Sequence, residues 1–242
     1  MILPEFRNQS GEFIDTSFHP ADRDDVLVLL GHGVTGNKDR PLLIAAAEGL
    51  AARGWPCLRI SFSGNGASHG RFEDCTVSKE CDDLTSVLDS LPPDLRIAYC
   101  GHSMGGGVGV RVAASDPRIA VLVTLAGMLR LADFHQTEFG ELQPGEGLMW
   151  DEPACPLSET FAGDMTMIGD LFDEATRIRA PWLLVHGTAD DVVLPRDSRD
   201  GYAAAHGPKK LVEIEGAGHS FDEATYPLVI DAIADWLESH QG

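Results

Sequence analysis

Short apolar runs alternate with longer amphipathic stretches along most of the chain. Four mainly apolar runs of strand length stand at Val26–Gly31, Arg96–Cys100, Ile119–Leu125 and Trp182–Val185. A run without polar alternation indicates a strand that is buried on both faces, as in a parallel sheet. The alternation with helix-length stretches therefore predicts an α/β fold with a doubly wound, mostly parallel sheet and helices on both of its faces.

The other predicted elements follow from the same patterns, with proline near the start of helices and glycine or proline beyond their ends. The predicted helices are Arg40–Arg53, Ser78–Leu91, Met104–Ala114, Pro195–His206 and Ala224–Glu238. The further strands are Cys57–Phe62 and Lys210–Ile214, and Phe6–Asn8 and Glu12–Phe18 are predicted to form a hairpin.

One stretch interrupts this rhythm. Between Leu125 and Trp182 lie more than fifty residues with few strand signals, rich in glycine, proline, methionine and acidic residues. A loop of that length without structure of its own is uncommon in a compact domain. We therefore predict one domain, residues 1–242, in which Met128–Ile178 forms a small cap inserted over the carboxyl ends of the strands. A disordered surface excursion is the alternative.

Charge and cysteine content narrow the class of protein. The chain has 38 acidic and 18 basic residues, hence a net charge of −20, which repels nucleic-acid backbones and anionic membrane surfaces. We therefore expect neither as a partner. No apolar run reaches the roughly 18 residues of a membrane span, and the N-terminal residues lack a signal-peptide pattern. Five scattered cysteines without a CxxC pair indicate free thiols. We expect a cytoplasmic protein.

The segment Gly101–Gly106, with the sequence G-H-S-M-G-G, places a serine between a predicted strand and a predicted helix. A G-x-S-x-G pattern in this context is typical of a nucleophile on a sharp turn, where flanking glycines prevent collisions. The start of the following helix also supplies N–H groups to a developing oxyanion. Ser103 is therefore the predicted nucleophile.

A serine nucleophile needs a base, and an imidazole near neutral pKa suits that role. His219 lies in G-A-G-H-S, after the last predicted strand, and follows Ser103 in the chain. It is the predicted base. The acid that orients the base should lie between the two at a strand end, where H-G-T-A-D-D offers Asp190 and Asp191.

The other histidines near these motifs receive lesser roles. His32 and His186 each precede a glycine at a strand end and are predicted to shape loops, and His102 is predicted to be structural. His69 and His135 are candidates to line the pocket.

The segment Gly31–Lys38, G-H-G-V-T-G-N-K, follows the first central strand. An oxyanion hole in this arrangement uses two backbone donors, one after the nucleophile and one from such a loop. We assign them to the N–H groups of Met104 and Val34.

No cofactor or metal is predicted. The glycines of Gly105–Gly109 fail the dinucleotide motif because Val110 stands where its last glycine belongs, and the chain has no P-loop motif. The predicted partner is a small-molecule ester.

Together these motifs resemble the α/β-hydrolase superfamily from about Val26 to Trp236. Within it, the segments 32–38 and 61–70 are similar to small bacterial cinnamoyl or feruloyl esterases and serine aminopeptidase-like hydrolases. The resemblance implies an α/β-hydrolase fold with a compact cap. In that family the motif H-G-x-x-D supplies the acid, which implies Asp190 rather than Asp191.

The predicted activity is hydrolysis of small to medium carboxylic esters through an acyl-enzyme on Ser103. A thioesterase or a hydrolase of small peptides and amides would use the same residues. A non-catalytic binding protein on a hydrolase scaffold is the more remote alternative.

Overall fold

The computed structural model describes residues 1–240, in which nine strands and eight α-helices are present. The strands are β1 (Phe6–Arg7), β2 (Phe13–Ile14), β3 (Thr16–His19), β4 (Val26–Gly31), β5 (Cys57–Ile60), β6 (Arg96–His102), β7 (Ile119–Leu125), β8 (Trp182–Gly187) and β9 (Lys209–Ile214). The helices are α1 (Pro41–Ala51), α2 (Val77–Asp89), α3 (Met104–Ala113), α4 (Leu131–Phe139), α5 (Glu159–Ile168), α6 (Phe172–Arg177), α7 (Arg196–Ala204) and α8 (Tyr226–Ser239).

Seven of the strands form one sheet in the order β3-β5-β4-β6-β7-β8-β9. The edge strand β3 is antiparallel to β5, and all other neighbours are parallel. The chain passes from β4 to β5 on one side and then returns to β6 on the other side of β4. In a doubly wound sheet ligands bind at the carboxyl ends of the strands beside such a reversal. The predicted α/β architecture is confirmed, and its active site is expected after β4 and β6.

The side chains of β4 explain why helices cover both faces of the sheet. Leu27 and Leu29 belong to a buried cluster that includes residues of α2 and α3. Val28 and Leu30 belong to a second cluster, with residues of α1 and α8. Because successive side chains of a strand point to opposite faces, an all-apolar strand needs both layers of helix.

The N-terminal strands differ from the predicted hairpin. Phe6 pairs with Ile14, so a short antiparallel ribbon does form around the predicted turn. The segment Thr16–His19, however, leaves this ribbon and pairs with Cys57–Ile60 as the edge of the large sheet. The physical reason is that β5 would otherwise present an unpaired edge.

The stretch between β7 and β8 is folded rather than extended. It contains α4, α5, α6 and a short 3₁₀ turn at Met149–Asp151, and α4 packs against α5. Phe139, Phe161 and Leu171 in this stretch are buried in the same cluster as α2 and α3. The description of residues 128–178 as a cap within a single domain remains a prediction. Within residues 1–240, none of the helices combines the length and apolarity that crossing a bilayer requires.

Helix α2 carries two carboxyl groups into the interior. Asp83 is 1% exposed and accepts hydrogen bonds from Asn8 Nδ2 at 2.8 Å and from the Ser63 backbone N–H at 2.7 Å. Glu80 is 2% exposed, and its Oε2 has no hydrogen-bond partner among the described residues. Burial, and secondly the charge of Asp83, raise the pKa of Glu80 well above its usual value. The folded state therefore favours the protonated form of Glu80.

This raised pKa predicts a pH-dependent gain in stability for Glu80→Gln. The stabilising contribution of the protonated group is full below the unfolded-chain pKa of about 4.3 and is lost as the pH rises through the folded-state pKa. Glutamine carries no such loss. The free energy of unfolding of Glu80→Gln, measured by urea titration, should increase relative to the unsubstituted protein as the pH is raised from about 4 to about 9.

The exposed Glu48 of α1 provides the control. The substitution Glu48→Gln should leave the pH dependence of unfolding close to that of the unsubstituted protein. A difference between Glu80→Gln and the unsubstituted protein that stayed constant with pH would contradict the prediction.

Candidate active site

Ser103 links β6 to α3 in a backbone conformation that is uncommon for a residue with a side chain. Its φ is 56° and its ψ is −123°. Its backbone N–H donates to the carbonyl of Leu125 at 2.9 Å, and its carbonyl accepts from the N–H of Met128 at 3.0 Å. Strained conformations of this kind persist where the surrounding structure determines them and are concentrated at functional sites. The serine is 4% exposed.

Glycines around Ser103 allow three backbone segments to meet. A Cβ on Gly101 would lie 2.1 Å from the carbonyl oxygen of Gly105, and one on Gly105 would lie 2.4 Å from that of His32. A Cβ on Gly33, in the loop after β4, would lie 2.7 Å from the Cβ of Ser103. Real Cβ atoms do not approach this closely. The glycines therefore permit the contact of the loop after β4 with the turn at Ser103.

The structure brings the three predicted triad residues together. His219, in the loop after β9, has its Nε2 at 3.0 Å from Ser103 Oγ. Its Nδ1 lies 2.9 Å from Oδ2 of Asp190, in the loop after β8. A carboxylate accepts only, so the proton between His219 and Asp190 belongs to Nδ1, and Nε2 is left to accept from the serine hydroxyl.

Asp190 is held by four donors. Its Oδ1 accepts from the backbone N–H groups of Val192 and Val193, each at 3.0 Å, and its Oδ2 lies 3.1 Å from His186 Nε2 in addition to His219. Burial by itself would raise the pKa of Asp190, but the hydrogen bonds from the two histidines outweigh it and lower that pKa below its usual range. Asp191, the alternative acid, is exposed and does not contact His219.

His186 contacts the same carboxylate oxygen as His219, Oδ2 of Asp190, a contact that the sequence analysis did not predict. It is fully buried, and its Nε2 also lies 2.8 Å from the carbonyl oxygen of Val193. Because both neighbours of Nε2 accept, the proton is assigned to Nε2, and Nδ1 accepts from the hydroxyl of Ser198 at 2.7 Å. The spacing of His186 and Asp190 in H-G-T-A-D was the available signal.

His32 and His102 hold two further loops of the site. His32 Nδ1 lies 2.9 Å from the carbonyl of Gly33, and its Nε2 accepts from the N–H of Phe62 at 3.0 Å. His102 Nε2 lies 2.9 Å from the carbonyl oxygen of His219. Burial lowers the pKa of His32 to about 4 and that of His102 to about 3. Both rings are therefore neutral near pH 7, and their hydrogen bonds hold the neighbouring loops in place.

The predicted oxyanion donors belong to the two segments that meet at Ser103. Met104 is the first residue of α3, and Val34 follows Gly33 in the loop after β4. Within residues 1–240 neither backbone N–H has a hydrogen-bond partner. The first N–H groups of a helix lack intrahelical partners, so that of Met104 is free to bind an anion.

A cavity of about 460 Å³ opens at these residues. Residues 33–36 of the loop after β4, which is called the oxyanion loop below for its predicted donor Val34, line it together with the start of α1. The other lining residues include Ser103, His219, Trp150 of the segment between β7 and β8, and Tyr226 of α8. His69 and His135, which were candidates to line the pocket, do not contribute to it. No group of three or more metal-binding side chains converges anywhere in the described chain.

Comparison with known families gives one extended match. A family profile described as Hydrolase_4: Serine aminopeptidase, S33 matches residues 22–143 and 156–222. The matched ranges include all three residues of the Ser103–His219–Asp190 arrangement and cover well over half of the chain.

Two relatives illustrate the range of sequence similarity. The palmitoyl-protein thioesterase ABHD10, mitochondrial, of Bos taurus is 28% identical over 174 residues, which are 66% of this chain and 56% of the bovine protein. The chain thus spans little more than half of the length of that relative. An uncharacterized protein of Mycobacterium tuberculosis, Rv2307c, is 27% identical over 223 residues, which are 90% of this chain and 72% of that protein.

Solved structures agree with the fold. Est1E from Butyrivibrio proteoclasticus, solved with ferulic acid bound, superposes with a TM-score of 0.84 and 25% identity, covering 98% of this chain and 99% of that one. The mouse alpha/beta hydrolase domain-containing protein 10 gives a TM-score of 0.81 at 20% identity and covers 99% of both chains, a likeness of fold.

The close backbone contact at Gly105 predicts a strong effect of Gly105→Ala. The new methyl group would meet the carbonyl of His32, which belongs to the backbone and cannot move alone. We expect a loss of at least about 2 kcal/mol in the free energy of unfolding, measured by urea titration.

Gly163 of α5 is the matched control, since it is also helical but a Cβ there meets no atom within 4 Å. The substitution Gly163→Ala should raise the free energy of unfolding by about 0.5–1 kcal/mol, because alanine restricts the unfolded chain. Equal changes in the free energy of unfolding for the two substitutions would show that the backbone around Gly105 can accommodate a Cβ.

Proposed function

The chain belongs to the Hydrolase_4 family, described as serine aminopeptidase, S33, and on this premise we propose that it is a serine hydrolase of carboxylic esters. It is an α/β-hydrolase, and its family consists of hydrolases. The observation that carries the proposal is the continuous hydrogen-bonded series from Ser103 through His219 to Asp190. This is the arrangement by which a serine hydroxyl becomes a nucleophile.

In the proposed first step, Ser103 Oγ attacks the ester carbonyl while its proton passes to His219 Nε2. Asp190 stabilises the resulting imidazolium through the Nδ1 hydrogen bond. The low pKa of Asp190 keeps it an anion, so it orients the ring without taking the proton. His219 then protonates the leaving alcohol, and the acyl group remains on Ser103.

In the second step, His219 accepts a proton from water while the water oxygen attacks the carbonyl of the acyl-enzyme. The bond to Ser103 Oγ then breaks, His219 returns the proton to that oxygen, and the carboxylic acid is released. Each tetrahedral intermediate carries a negative oxygen. We assign its donors to the N–H groups of Val34 and Met104, which have no other partner within the described residues. No cofactor takes part in either step.

Small to medium esters are the proposed substrates. The cavity of about 460 Å³ lies in the range of sites for small organic ligands, which is roughly 300–1,000 Å³. Trp150 of the inserted stretch borders it and limits its extent. A small-molecule partner also accords with the net charge of −20, which disfavours nucleic acids and anionic membranes. The five free cysteines support a cytoplasmic location.

Thioester hydrolysis is the second candidate activity. It is favoured by the bovine relative, which is named a palmitoyl-protein thioesterase. The chemistry differs only in the leaving group, since a thiolate leaves where an alkoxide leaves in an ester. Small amides are a third possibility on the same residues and demand more of His219, because the amine must be protonated to leave.

One prediction from the proposed function concerns the nucleophile. Replacement Ser103→Ala removes the attacking oxygen, so turnover should fall by at least about 10³-fold with the fold retained. The measurement is hydrolysis of 4-nitrophenyl esters from acetyl to dodecanoyl, with acyl thioesters of the same chains beside them. The exposed serine in Ser10→Ala is the control. Near-normal turnover by Ser103→Ala would exclude this residue as the nucleophile. The series with the higher kcat/KM, esters or thioesters of the same acyl chains, decides between an esterase and a thioesterase.

Another prediction from the proposed function tests which of the two neighbouring aspartates orients His219. Asp190→Asn loses the anion that faces His219, and by analogy with other triads kcat should fall by about 10³- to 10⁴-fold. Asp191→Asn, at an exposed position outside the cavity, should stay within about twofold of the unsubstituted protein. The measurement is the steady-state kinetics of the best ester for both variants. If only Asp191→Asn showed a large loss of kcat, the assignment of Asp190 as the acid would be wrong.

A further inference from the structure

The cavity at Ser103 contains a cationic side chain that the proposed mechanism does not use. Arg40, the residue before α1, lines this cavity. None of the other cavity-lining residues is a Lys, Arg, Asp or Glu. In a chain with 38 acidic and 18 basic residues, a cavity lined by an arginine and no carboxylate is a local reversal of charge.

Arg40 is not neutralised by the protein. One of its two terminal nitrogens, Nη2, donates to the carbonyl oxygen of Thr35 at 3.0 Å and lies 3.5 Å from the Thr35 hydroxyl oxygen. Among residues 1–240 Arg40 makes no ion pair. The adjacent carboxylate, that of Asp39, is instead bound by Lys38 at 2.8 Å and by Arg59 at 2.9 Å. Most other arginines of the described chain lie against carboxylates. The guanidinium of Arg40 is therefore anchored to the oxyanion loop with donors left for a ligand.

The charge of Arg40 acts on the residues beside Ser103. Burial is the main cause of the lowered pKa of His32 and of His102. The positive charge of Arg40 lowers both pKa values further, and for His102 its effect is smaller than that of His219. These two histidines support the oxyanion loop and the His219 loop. A charge that influences both loops lies within range of a substrate bound between them.

We propose that Arg40 binds an anionic group of the substrate, so that the preferred substrates are esters or thioesters carrying a carboxylate, phosphate or sulfate away from the reacting carbonyl. The inference rests on the proposed hydrolase function and specifies its substrate class. A guanidinium matches such groups because its fork of N–H donors binds two oxygens at once. The reacting bond and the products are those of ordinary ester hydrolysis.

Two matched pairs of substrates test the proposal and locate the anion. In the acyl pair, the 4-nitrophenyl half-ester of adipic acid is compared with 4-nitrophenyl hexanoate. In the leaving-group pair, 4-acetoxybenzoate is compared with its methyl ester. For each pair the quantity of interest is the ratio of kcat/KM for the anionic substrate to that for the neutral one.

In at least one pair, Arg40→Gln should lower this ratio about two- to fivefold, as expected for a solvent-accessible charge pair. Arg40→Lys, which keeps the positive charge, should retain most of the preference for the anionic substrate. The control is Arg179→Gln, which removes an exposed arginine just before β8 that does not line the cavity, and it should leave the ratio unchanged. The pair that responds identifies the half of the substrate that carries the anion.

Two outcomes overturn the proposal while leaving the hydrolase function intact. One is turnover in which Arg40→Gln changes neither ratio, and the other is an equal change in Arg179→Gln. If no ester or thioester were turned over at all, the proposed function would fail instead. In that case calorimetry with adipate still decides, because Ser103→Ala should bind adipate more tightly than the double variant with Arg40→Gln, and equal affinity would exclude the anion site.

Discussion

The site depends on a steric constraint around Ser103. The loop after β4, the turn at Ser103 and the start of α3 approach one another so closely that the glycines between them could not carry a Cβ. The left-handed backbone of Ser103 is held because Gly101 packs against Gly105, and Gly105 packs against the carbonyl of His32. The same contacts bring Gly33 to the serine and leave the N–H of Met104 free at the helix start. The positions of the proposed nucleophile and of the proposed oxyanion donors therefore follow from one packing arrangement.

A second set of histidines stabilises the loops around this arrangement. His32 joins the oxyanion loop to the strand end at Phe62, His102 fixes the backbone of His219, and His186 supports Asp190. A neutral imidazole suits this role, since it presents one donor and one acceptor at a fixed separation. Burial, which lowers the pKa of His32 and His102, keeps those two rings in the neutral form. His219, the proposed base, differs from these rings in being partly exposed.

Sequence patterns predicted what depends on local chemistry. Strand β4 and the turn at Ser103 follow from an apolar run and from glycine spacing, and the five predicted helices lie within two residues of their predicted ends. The pairing of Thr16–His19 with β5, the contact of His186 with Asp190 and the burial of Glu80 could not be predicted in this way. Each depends on which distant segment lies alongside, and periodicity within one segment carries no such information.

The segment between β7 and β8 contributes Trp150 to the wall of the cavity through another strained turn. Trp150 and Asp151 both have positive φ, at 50° and 58°. The indole of Trp150 packs on Phe139 at a centroid distance of 4.9 Å and donates from Nε1 to Glu138 at 2.9 Å. Two adjacent left-handed residues are unfavourable without such contacts. Because α4 supplies these contacts, the position of Trp150 at the cavity follows from the fold of the insert, and a change in α4 would alter the shape of the cavity without touching the residues that we assign to the reaction.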